Sequence, residues 1–197
     1  MYTEKTFSVM EKEIQGISKQ TMEGHYKLYQ GYVKKANEIL EKLETVDRDP
    51  AKANQTYSDI RELKVEFSFA VGGIKNHEIY FSHLGGDGSA PTGKLAEMID
   101  RDFGSFEAFK QDMKATGIAG RGWVWLAYDH DSGKLFNYIG DTQNTYPIWN
   151  ATPLVALDVY EHAYWGDYGP ARGDYIDVFF ANLDWRVIEK SAERILS

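Results

Sequence analysis

The stretch Gly85-Gly86-Asp87-Gly88-Ser89-Ala90-Pro91 is the strongest break in the chain. Glycine and proline at this density are typical of turns and loops, because glycine tolerates unusual backbone angles and proline cannot continue a helix. The sequence before this stretch has helical periodicity, and the sequence after it mixes helical and β patterns. We therefore expect two domains, one of residues 1–88 and one of residues 89–197.

Two long helices are predicted before the break. Apolar side chains recur every three or four positions in residues 21–44, which is the pattern of one buried helix face. They are Met22, Tyr26, Tyr29, Val33, Ala36 and Leu40. Thr21 is the expected N-cap of this helix. A second stripe of this kind runs through residues 56–81, and two long helices joined by a short loop predict an antiparallel hairpin.

The sequence after the break is mixed. Residues 94–102 and 105–116 have short helical patterns, the second with Ser105 as the expected N-cap. Two runs of β-branched and aromatic residues follow, at residues 123–128 and 135–139, with a hairpin turn between them, and a third strand is expected near residues 154–158. The chain becomes helical again after Tyr175. These patterns predict an α+β class with a small antiparallel sheet.

The composition of the 197-residue chain limits its chemistry. It has 43% hydrophobic residues and no cysteine, which excludes disulfides, thiolate metal sites and cysteine nucleophiles. The net charge of −8 argues against nucleic acid as the main partner, because phosphate binding needs a basic surface. No stretch is apolar enough to cross a membrane or to act as a signal peptide, so we expect no membrane partner and a cytoplasmic location. Of the five histidines, we expect His83 and His130 to be solvent-exposed.

A metal site in this chain must use His, Asp, Glu or backbone oxygen ligands. Asp158, Glu161 and His162 fall within five residues, a spacing that suits a metal site or an exposed turn. His25 and His77 lie on the apolar stripes of the two long helices, where a histidine can also simply be part of the core. Three imidazoles and one carboxylate suit a single redox metal better than a structural zinc, which usually recruits sulfur.

Four blocks of the chain, in order, resemble the iron/manganese superoxide dismutases. They are MEGHYKLYQGYV (22–33), GGIKNHEIYFSHL (72–84), FGSFEAFKQDMKATGIAGRGWVWLAY (103–128) and LDVYEHAYWGDYGPARGDY (157–175). The resemblance implies an N-terminal antiparallel helical hairpin and a C-terminal α+β domain with a three-stranded antiparallel sheet. It also implies that the metal ligands are His25, His77, Asp158 and His162.

The resemblance implies a specific reaction. A superoxide dismutase of this type converts two superoxide ions to dioxygen and hydrogen peroxide while a mononuclear metal alternates between M(III) and M(II). One alternative is a dismutase-like structural or binding subunit with little activity. A mononuclear oxygenase is disfavoured, because four protein ligands leave only one open position on the metal.

The resemblance also concerns the metal's identity. Family members place a glutamine near the metal in one of two positions, which correspond here to Gly73 and Gln143. This combination resembles the manganese arrangement, in which a large side chain at position 73 would compete with Gln143 for space. We therefore expect one Mn ion per subunit, with Fe as the alternative. A surface glutamine without a role is the alternative for Gln143.

Tyr32 resembles the family's gateway tyrosine, which links the site to solvent through Gln143. It follows His25 by seven residues, whereas most members have eight. At about 100° per residue, seven steps leave the two side chains within about 20° of each other. Because an inserted residue is commonly absorbed as a π-bulge, we predict a regular first helix without one. The family's second histidine on this helix is replaced by Tyr29 or Leu28, depending on the count.

Other positions near the site include three departures from the family pattern, since Tyr160 and Phe81 replace tryptophans and Trp165 replaces a tyrosine. Trp123, Tyr160 and Phe81 are expected to form an aromatic wall around the metal, with core packing as the alternative. Trp165 occupies the place of a second gateway tyrosine. Arg172 lies in a segment that the resemblance places near the mouth of the active site.

Glu161 is implicated in assembly by the resemblance. In the family this glutamate pairs across a two-fold interface with the last metal histidine of the other subunit, His162 in this chain. Without a partner, Glu161 would be an unpaired carboxylate near a buried site. We therefore expect a homodimer, or a tetramer, in which activity depends on dimerisation.

Overall fold

The computed structural model describes residues 1–144 and 149–196, except for the side chains of Arg194 and Leu196. The helices are α1 (Lys19–Thr45), α2 (Asp59–Ser82), α3 (Gly93–Phe103), α4 (Phe106–Ala119), α5 (Trp165–Tyr168), α6 (Arg172–Ala181) and α7 (Trp185–Leu196). The strands are β1 (Trp123–Asp129), β2 (Lys134–Gly140) and β3 (Ala151–Asp158). The predicted α+β fold, with a helical hairpin followed by a three-stranded antiparallel sheet, is confirmed.

The hairpin consists of α1 and α2, which pack against each other. α1 is α-helical without interruption from Lys19 to Thr45, so the prediction of a regular first helix without a π-bulge is confirmed. Its buried side chains follow the expected stripe in part, since Tyr26 and Leu40 are only half-buried while Ile39 and Leu43 are buried near its end. The regular helix therefore places His25 and Tyr32 two turns apart on the same side.

The start of α1 differs from the prediction. Ser18, and not Thr21, is the N-cap, and the Ser18 Oγ accepts a hydrogen bond from the Thr21 N–H at 3.1 Å. The Ser18 N–H in turn donates to the Asp167 carboxylate at 2.9 Å. Because this second bond comes from a residue 149 positions away, the sequence near Thr21 could not indicate where the helix begins.

The sheet has the strand order β2-β1-β3, with both pairings antiparallel. The central strand β1 pairs Trp123 with Gly140 of β2 and with Asp158 of β3, so Asp158 ends its strand beside a buried tryptophan. β3 begins at Ala151, three residues before the predicted start. Pro153 fits there because β3 is an edge strand and the β1–β3 register is irregular at this point.

The glycine-rich break packs closely against the loop between α6 and α7. The N–H groups of Gly85 and Gly86 both donate to the Asn182 carbonyl, at 2.9 and 3.0 Å. A Cβ on Gly86 would lie 2.3 Å from the Leu183 carbonyl oxygen, so only glycine allows this approach. The break therefore holds the end of α2 against the C-terminal part of the chain. The domain division at residues 88/89 stays a prediction.

Among residues 1–144 and 149–196, none of the helices combines the length and the apolar character needed to cross a bilayer.

Candidate metal centre

Four potential metal ligands converge between the hairpin and the sheet. His25 comes from α1, His77 from α2, Asp158 from the end of β3, and His162 from the 3-10 turn Glu161–Ala163. Their ligating atoms all lie within 4.8 Å of one another. The structure thus brings together, from four separate elements, the four residues that the sequence singled out.

The Asp158 carboxylate is at the centre of this group. Its Oδ2 atom lies 3.0 Å from the Nε2 of His162, 3.1 Å from that of His25 and 3.7 Å from that of His77. The side chains of Asp158, His25 and His77 are fully buried, while that of His162 is 30% exposed. One carboxylate oxygen and three imidazole nitrogens therefore face a common point, and His162 lies on its solvent side.

Backbone and side-chain hydrogen bonds fix Asp158 itself. The Tyr160 N–H donates to its Oδ1 at 2.9 Å, and the Tyr175 hydroxyl donates to its carbonyl at 2.9 Å. Burial alone would raise the pKa of Asp158, but the charge of His162 and hydrogen bonds from His162 and His25 hold it below its usual value. Asp158 is therefore ionised at neutral pH, as a metal ligand must be.

The tautomer of His77 suits a metal. Its Nδ1 donates to the Gly73 carbonyl at 2.6 Å, which leaves the Nε2 lone pair directed at the cluster. Within the described residues this buried Nε2 has no hydrogen-bond partner, and neither does the Nδ1 of His25. A buried nitrogen without a partner is costly, and a metal ion bound among these four side chains would supply one for His77. The donor set fits a single Mn or Fe ion.

Burial keeps two of the histidines neutral. It lowers the pKa of His77 to about 3, with repulsion from His25 as the next cause, and it also lowers the pKa of His25 despite the attraction of Asp158. His162 behaves differently, because the charge of Asp158 and their hydrogen bond outweigh partial burial and raise its pKa. His25 and His77 are thus held in the form that can ligate a metal.

Gln143 is buried beside the cluster. Trp123 Nε1 donates to its Oε1 at 3.0 Å, and since an indole N–H can only donate, the Gln143 amide nitrogen is left to face the other way. The Gln143 side chain is also hydrogen-bonded to the Tyr32 hydroxyl. Burial and the charge of Asp158 nevertheless raise the pKa of Tyr32 to about 12, so Tyr32 stays protonated at neutral pH.

The Tyr32 ring lies next to Gly73. A Cβ at this position would lie 2.7 Å from the Tyr32 ring, whereas a Cβ on Gly72 would lie 1.9 Å from the Gln143 carbonyl oxygen. A side chain at position 73 would therefore first displace Tyr32. The contact with Gln143 belongs to Gly72.

Aromatic rings surround the imidazoles. Trp123 meets the His77 ring edge-on with centroids 5.2 Å apart, Phe81 meets His25 at 5.1 Å, and Tyr160 stacks on His162 at 5.4 Å. Each ring of the expected wall thus contacts a different histidine of the cluster. These contacts shield the site from water and fix the orientation of each imidazole.

Comparison with known proteins agrees with this geometry. Residues 14–85 match the family described as "Iron/manganese superoxide dismutases, alpha-hairpin domain", and residues 91–191 match "Iron/manganese superoxide dismutases, C-terminal domain". The chain belongs to the iron/manganese superoxide dismutase family. It is accordingly an enzyme that converts superoxide to dioxygen and hydrogen peroxide with manganese or iron. The alternative of a structural or binding subunit gains no support.

Curated relatives cover most of the chain. A protein of Aquifex aeolicus named as an iron superoxide dismutase is 42% identical over 189 residues, which are 94% of this chain and 88% of the relative. An iron superoxide dismutase of Methanothermobacter thermautotrophicus is 38% identical over 177 residues, 87% of this chain and 84% of the relative. A manganese superoxide dismutase of Haloferax volcanii is 38% identical over 144 residues, 68% of this chain and 72% of the relative.

The remaining residues expected near the dismutase site lie outside the cluster. Glu161 and Trp165 are exposed and line, with His162, a surface depression next to the start of α1. Within the described residues, the Glu161 side chain is in none of the hydrogen bonds or ion pairs. Arg172 donates to the Tyr164 hydroxyl at 3.0 Å and to the Gly120 carbonyl at 2.6 Å, so it binds the end of α4.

Two histidines are not part of the dismutase site. His130 is exposed, as expected, and its Nε2 lies 2.8 Å from the Thr152 hydroxyl. The prediction that His83 is solvent-exposed is wrong, because His83 is buried where the end of α2 packs on β3, and its Nε2 accepts the Ala156 N–H at 3.1 Å. The neighbouring glycines suggested an open loop, but they allow close packing at this point.

The two candidate positions for the family's second histidine on α1 differ in burial. Tyr29 is fully buried, and its hydroxyl accepts the Lys5 N–H at 2.9 Å, whereas Leu28 is exposed. Sequence reasoning missed Tyr175 as a support of Asp158. The contact joins residues 17 positions apart through the start of α6, and no local pattern indicates it.

Proposed function

We propose that the dismutase reaction occurs at one redox metal ion held by His25, His77, Asp158 and His162. The observation that carries this proposal is the buried Nε2 of His77, which faces the other three side chains and has no hydrogen-bond partner within the described residues. A manganese or iron ion held by these four side chains would supply the one-electron redox chemistry that the reaction needs. The four side chains supply a rigid set of three neutral donors and one anion.

A matched pair of histidine variants tests this assignment. His77→Ala should lower the bound metal per chain by roughly 10-fold or more, because a metal ligand is lost outright. His83→Gln is the control, since His83 is equally buried and lies six residues further along but faces Ala156. Metal content measured on both purified variants should separate them. Equal metal content in His77→Ala and the wild type would contradict the assignment.

Tyr32 and Gln143 serve as the proton path in this proposal. Formation of hydrogen peroxide consumes two protons, and the raised pKa of Tyr32, about 12, keeps its hydroxyl protonated at neutral pH. Gln143 is held by Trp123 on its oxygen side, so its amide hydrogens are directed toward Tyr32 and the interior. Tyr32 then holds the proton, and Gln143 connects it to the site.

Manganese is the preferred metal in our proposal. Its support is that the glutamine stands at position 143 while position 73 is glycine. The position of such a glutamine matters because hydrogen bonds beside a metal site tune the reduction potential of the metal. A glutamine at position 73 would need the space of the Tyr32 ring, which leaves Gln143 as the one available for this role. The relatives do not decide the matter, since those from Aquifex aeolicus and Haloferax volcanii are named with different metals.

Reconstitution tests the metal preference. The metal is removed from the full chain, Mn(II) or Fe(II) is added separately, and superoxide consumption is measured per bound ion. We expect the manganese form to be the more active by about 10-fold or more, which corresponds to a difference of about 1.4 kcal/mol in activation free energy. Activity restored by iron alone would overturn the preference.

We also propose that the protein forms a homodimer. Glu161, the exposed part of His162 and Trp165, which is 51% exposed, lie together on one face. A second copy placed on this face would give Glu161 a cationic or hydrogen-bonding partner and would cover the open side of His162. A tetramer and a cytoplasmic location stay predictions from the sequence, which sedimentation and cell fractionation would test.

A further inference from the structure

A stripe of three residues on α2 faces the segment that carries Gln143. Ser68, Gly72 and Asn76 are spaced four residues apart, so they lie one above the other on the same side of the helix. All three contact Gln143 or Asn144. None of the motifs recognised in the sequence explains why these three residues share a face.

Gly72 lies against the Gln143 backbone. A Cβ on Gly72 would lie 1.9 Å from the Gln143 carbonyl oxygen and 2.6 Å from its carbonyl carbon, which is far inside any permitted contact. Since a backbone group cannot swing aside as a long side chain can, any residue other than glycine would push the whole segment away from α2. Gly72 therefore sets how closely Gln143 approaches the helix.

Ser68 and Asn76 hold the same segment at either side of Gly72. The Asn144 side-chain amide donates to the Ser68 hydroxyl at 3.0 Å, and the Asn76 amide points to the Gln143 carbonyl at 3.5 Å. Asn76 is itself fixed, because its Oδ1 accepts the Trp125 indole N–H at 3.1 Å in a buried setting. The backbone of Gln143 is thus tied both to α2 and, through Asn76, to β1.

We propose that Ser68, Gly72 and Asn76 form a seat on α2 that positions Gln143 for its part in the dismutase reaction. The inference rests on the role proposed for Gln143 above. The seat fixes the backbone end of the residue, and Trp123 fixes the side-chain oxygen at the other end. With both ends fixed, the direction of the Gln143 amide hydrogens is defined. Gly72 is a positioning residue, because it acts only through Gln143.

The test compares Gly72→Ala with Gly31→Ala. Both exchange a helical glycine for alanine, and Gly31 is exposed with open space around its Cβ, so it is a matched control for helix propensity. The full chain is loaded with Zn²⁺, which has no redox chemistry, and the indole N–H signals are recorded by NMR. The Trp123 signal reports the bond to Gln143, and the Trp185 signal is the internal reference.

The seat predicts a specific pattern. Gly72→Ala should shift the Trp123 signal, leave the Trp185 signal in place, and move the reduction potential of the manganese form in the same direction as Gln143→Ala. Superoxide consumption per bound metal should fall on the order of 10- to 100-fold, as for other small misplacements of a reacting group. Gly31→Ala should change none of these.

The possible results distinguish two hypotheses, that the seat positions Gln143 and that Gln143 takes part in the reaction. A folded Gly72→Ala with unchanged Trp123 signal and potential would overturn the seat. A shifted Trp123 signal with unchanged potential and rate would support the seat and overturn the role of Gln143. If Gly72→Ala does not fold, Ser68→Ala removes the bond to Asn144 without filling space, and a smaller shift of the Trp123 signal is then expected. An unchanged signal in Ser68→Ala would contradict the seat.

Discussion

At the residue scale, the chemistry of the metal centre depends on the positions of a few side-chain atoms. One carboxylate oxygen of Asp158 lies within 3.7 Å of three imidazole nitrogens, and one nitrogen of His77 faces this group without a hydrogen-bond partner among the described residues. Tyr32 and Gln143 provide a protonated hydroxyl and a fixed amide beside them. The resemblance to the family allowed these residues to be named from the sequence. Their distances could not be predicted, because they depend on four separate elements.

Removal of the Tyr32 hydroxyl tests the proton path. Tyr32→Phe should lower superoxide consumption, up to the roughly 10²- to 10⁴-fold that a positioned proton donor contributes. Because the pKa of Tyr32 is raised to about 12, the wild-type rate should have no inflection due to Tyr32 between pH 6 and 10. Tyr29→Phe is the matched control on the same helix, since its hydroxyl contacts Lys5. Equal rates for the two variants would remove Tyr32 from the path.

At the scale of elements, the helices and strands follow from the sequence and their ends do not. Apolar periodicity predicted both long helices, because it depends only on which face is buried, and runs of β-branched and aromatic residues predicted the strands. The N-cap at Ser18 depends on Asp167, and the early start of β3 depends on pairing with β1. The burial of His83 likewise arises from packing between distant elements. Such contacts leave no local signal.

The junction of α2 and β3 gives a prediction about pH. Burial lowers the pKa of His83 to about 3 in the folded chain, against about 6.5 for an unfolded histidine. The unfolded state therefore binds the proton first, so His83 should destabilise the fold as pH falls from about 6.5 toward 3, by up to about 1.4 kcal/mol per pH unit. His83→Gln keeps an acceptor for the Ala156 N–H but does not titrate.

Urea unfolding of both proteins at several pH values measures this effect. The fall in unfolding free energy between pH 6.5 and pH 4 should be smaller for His83→Gln than for the wild type. Above pH 7, where His83 is neutral in both states, the unfolding free energies of the two proteins should depend on pH in the same way. Parallel pH dependences would show that His83 contributes nothing to acid lability.

At the scale of the whole molecule, the metal centre lies where hairpin and sheet meet, and one side of it reaches the surface. His162 is 30% exposed there, and Glu161 and Trp165 are exposed beside it. That Glu161 lies at a dimer interface was predicted only from the family resemblance. A single exposed glutamate gives no sequence pattern that would indicate an interface. The net charge of −8 likewise describes the molecule and not the field at this opening.

Glu161→Gln tests the link between assembly and activity. Loss of one partner of an interfacial charge pair costs about 2 kcal/mol or more, so the dimer should dissociate at least about 30-fold more readily. Glu107→Gln is the control, because Glu107 is exposed on α4 and, among the described residues, pairs with Lys110 at 3.4 Å. Analytical ultracentrifugation with activity at each concentration provides the measurement. A fully active monomer would contradict the proposed dimer.

The most direct test of the metal centre is superoxide consumption by purified full chain whose metal content has been measured. Activity should rise in proportion to bound manganese or iron, and His162→Ala should lose it together with the metal. The wild-type rate in His162→Ala, or in a chain without bound metal, would contradict the assignment of the four ligands.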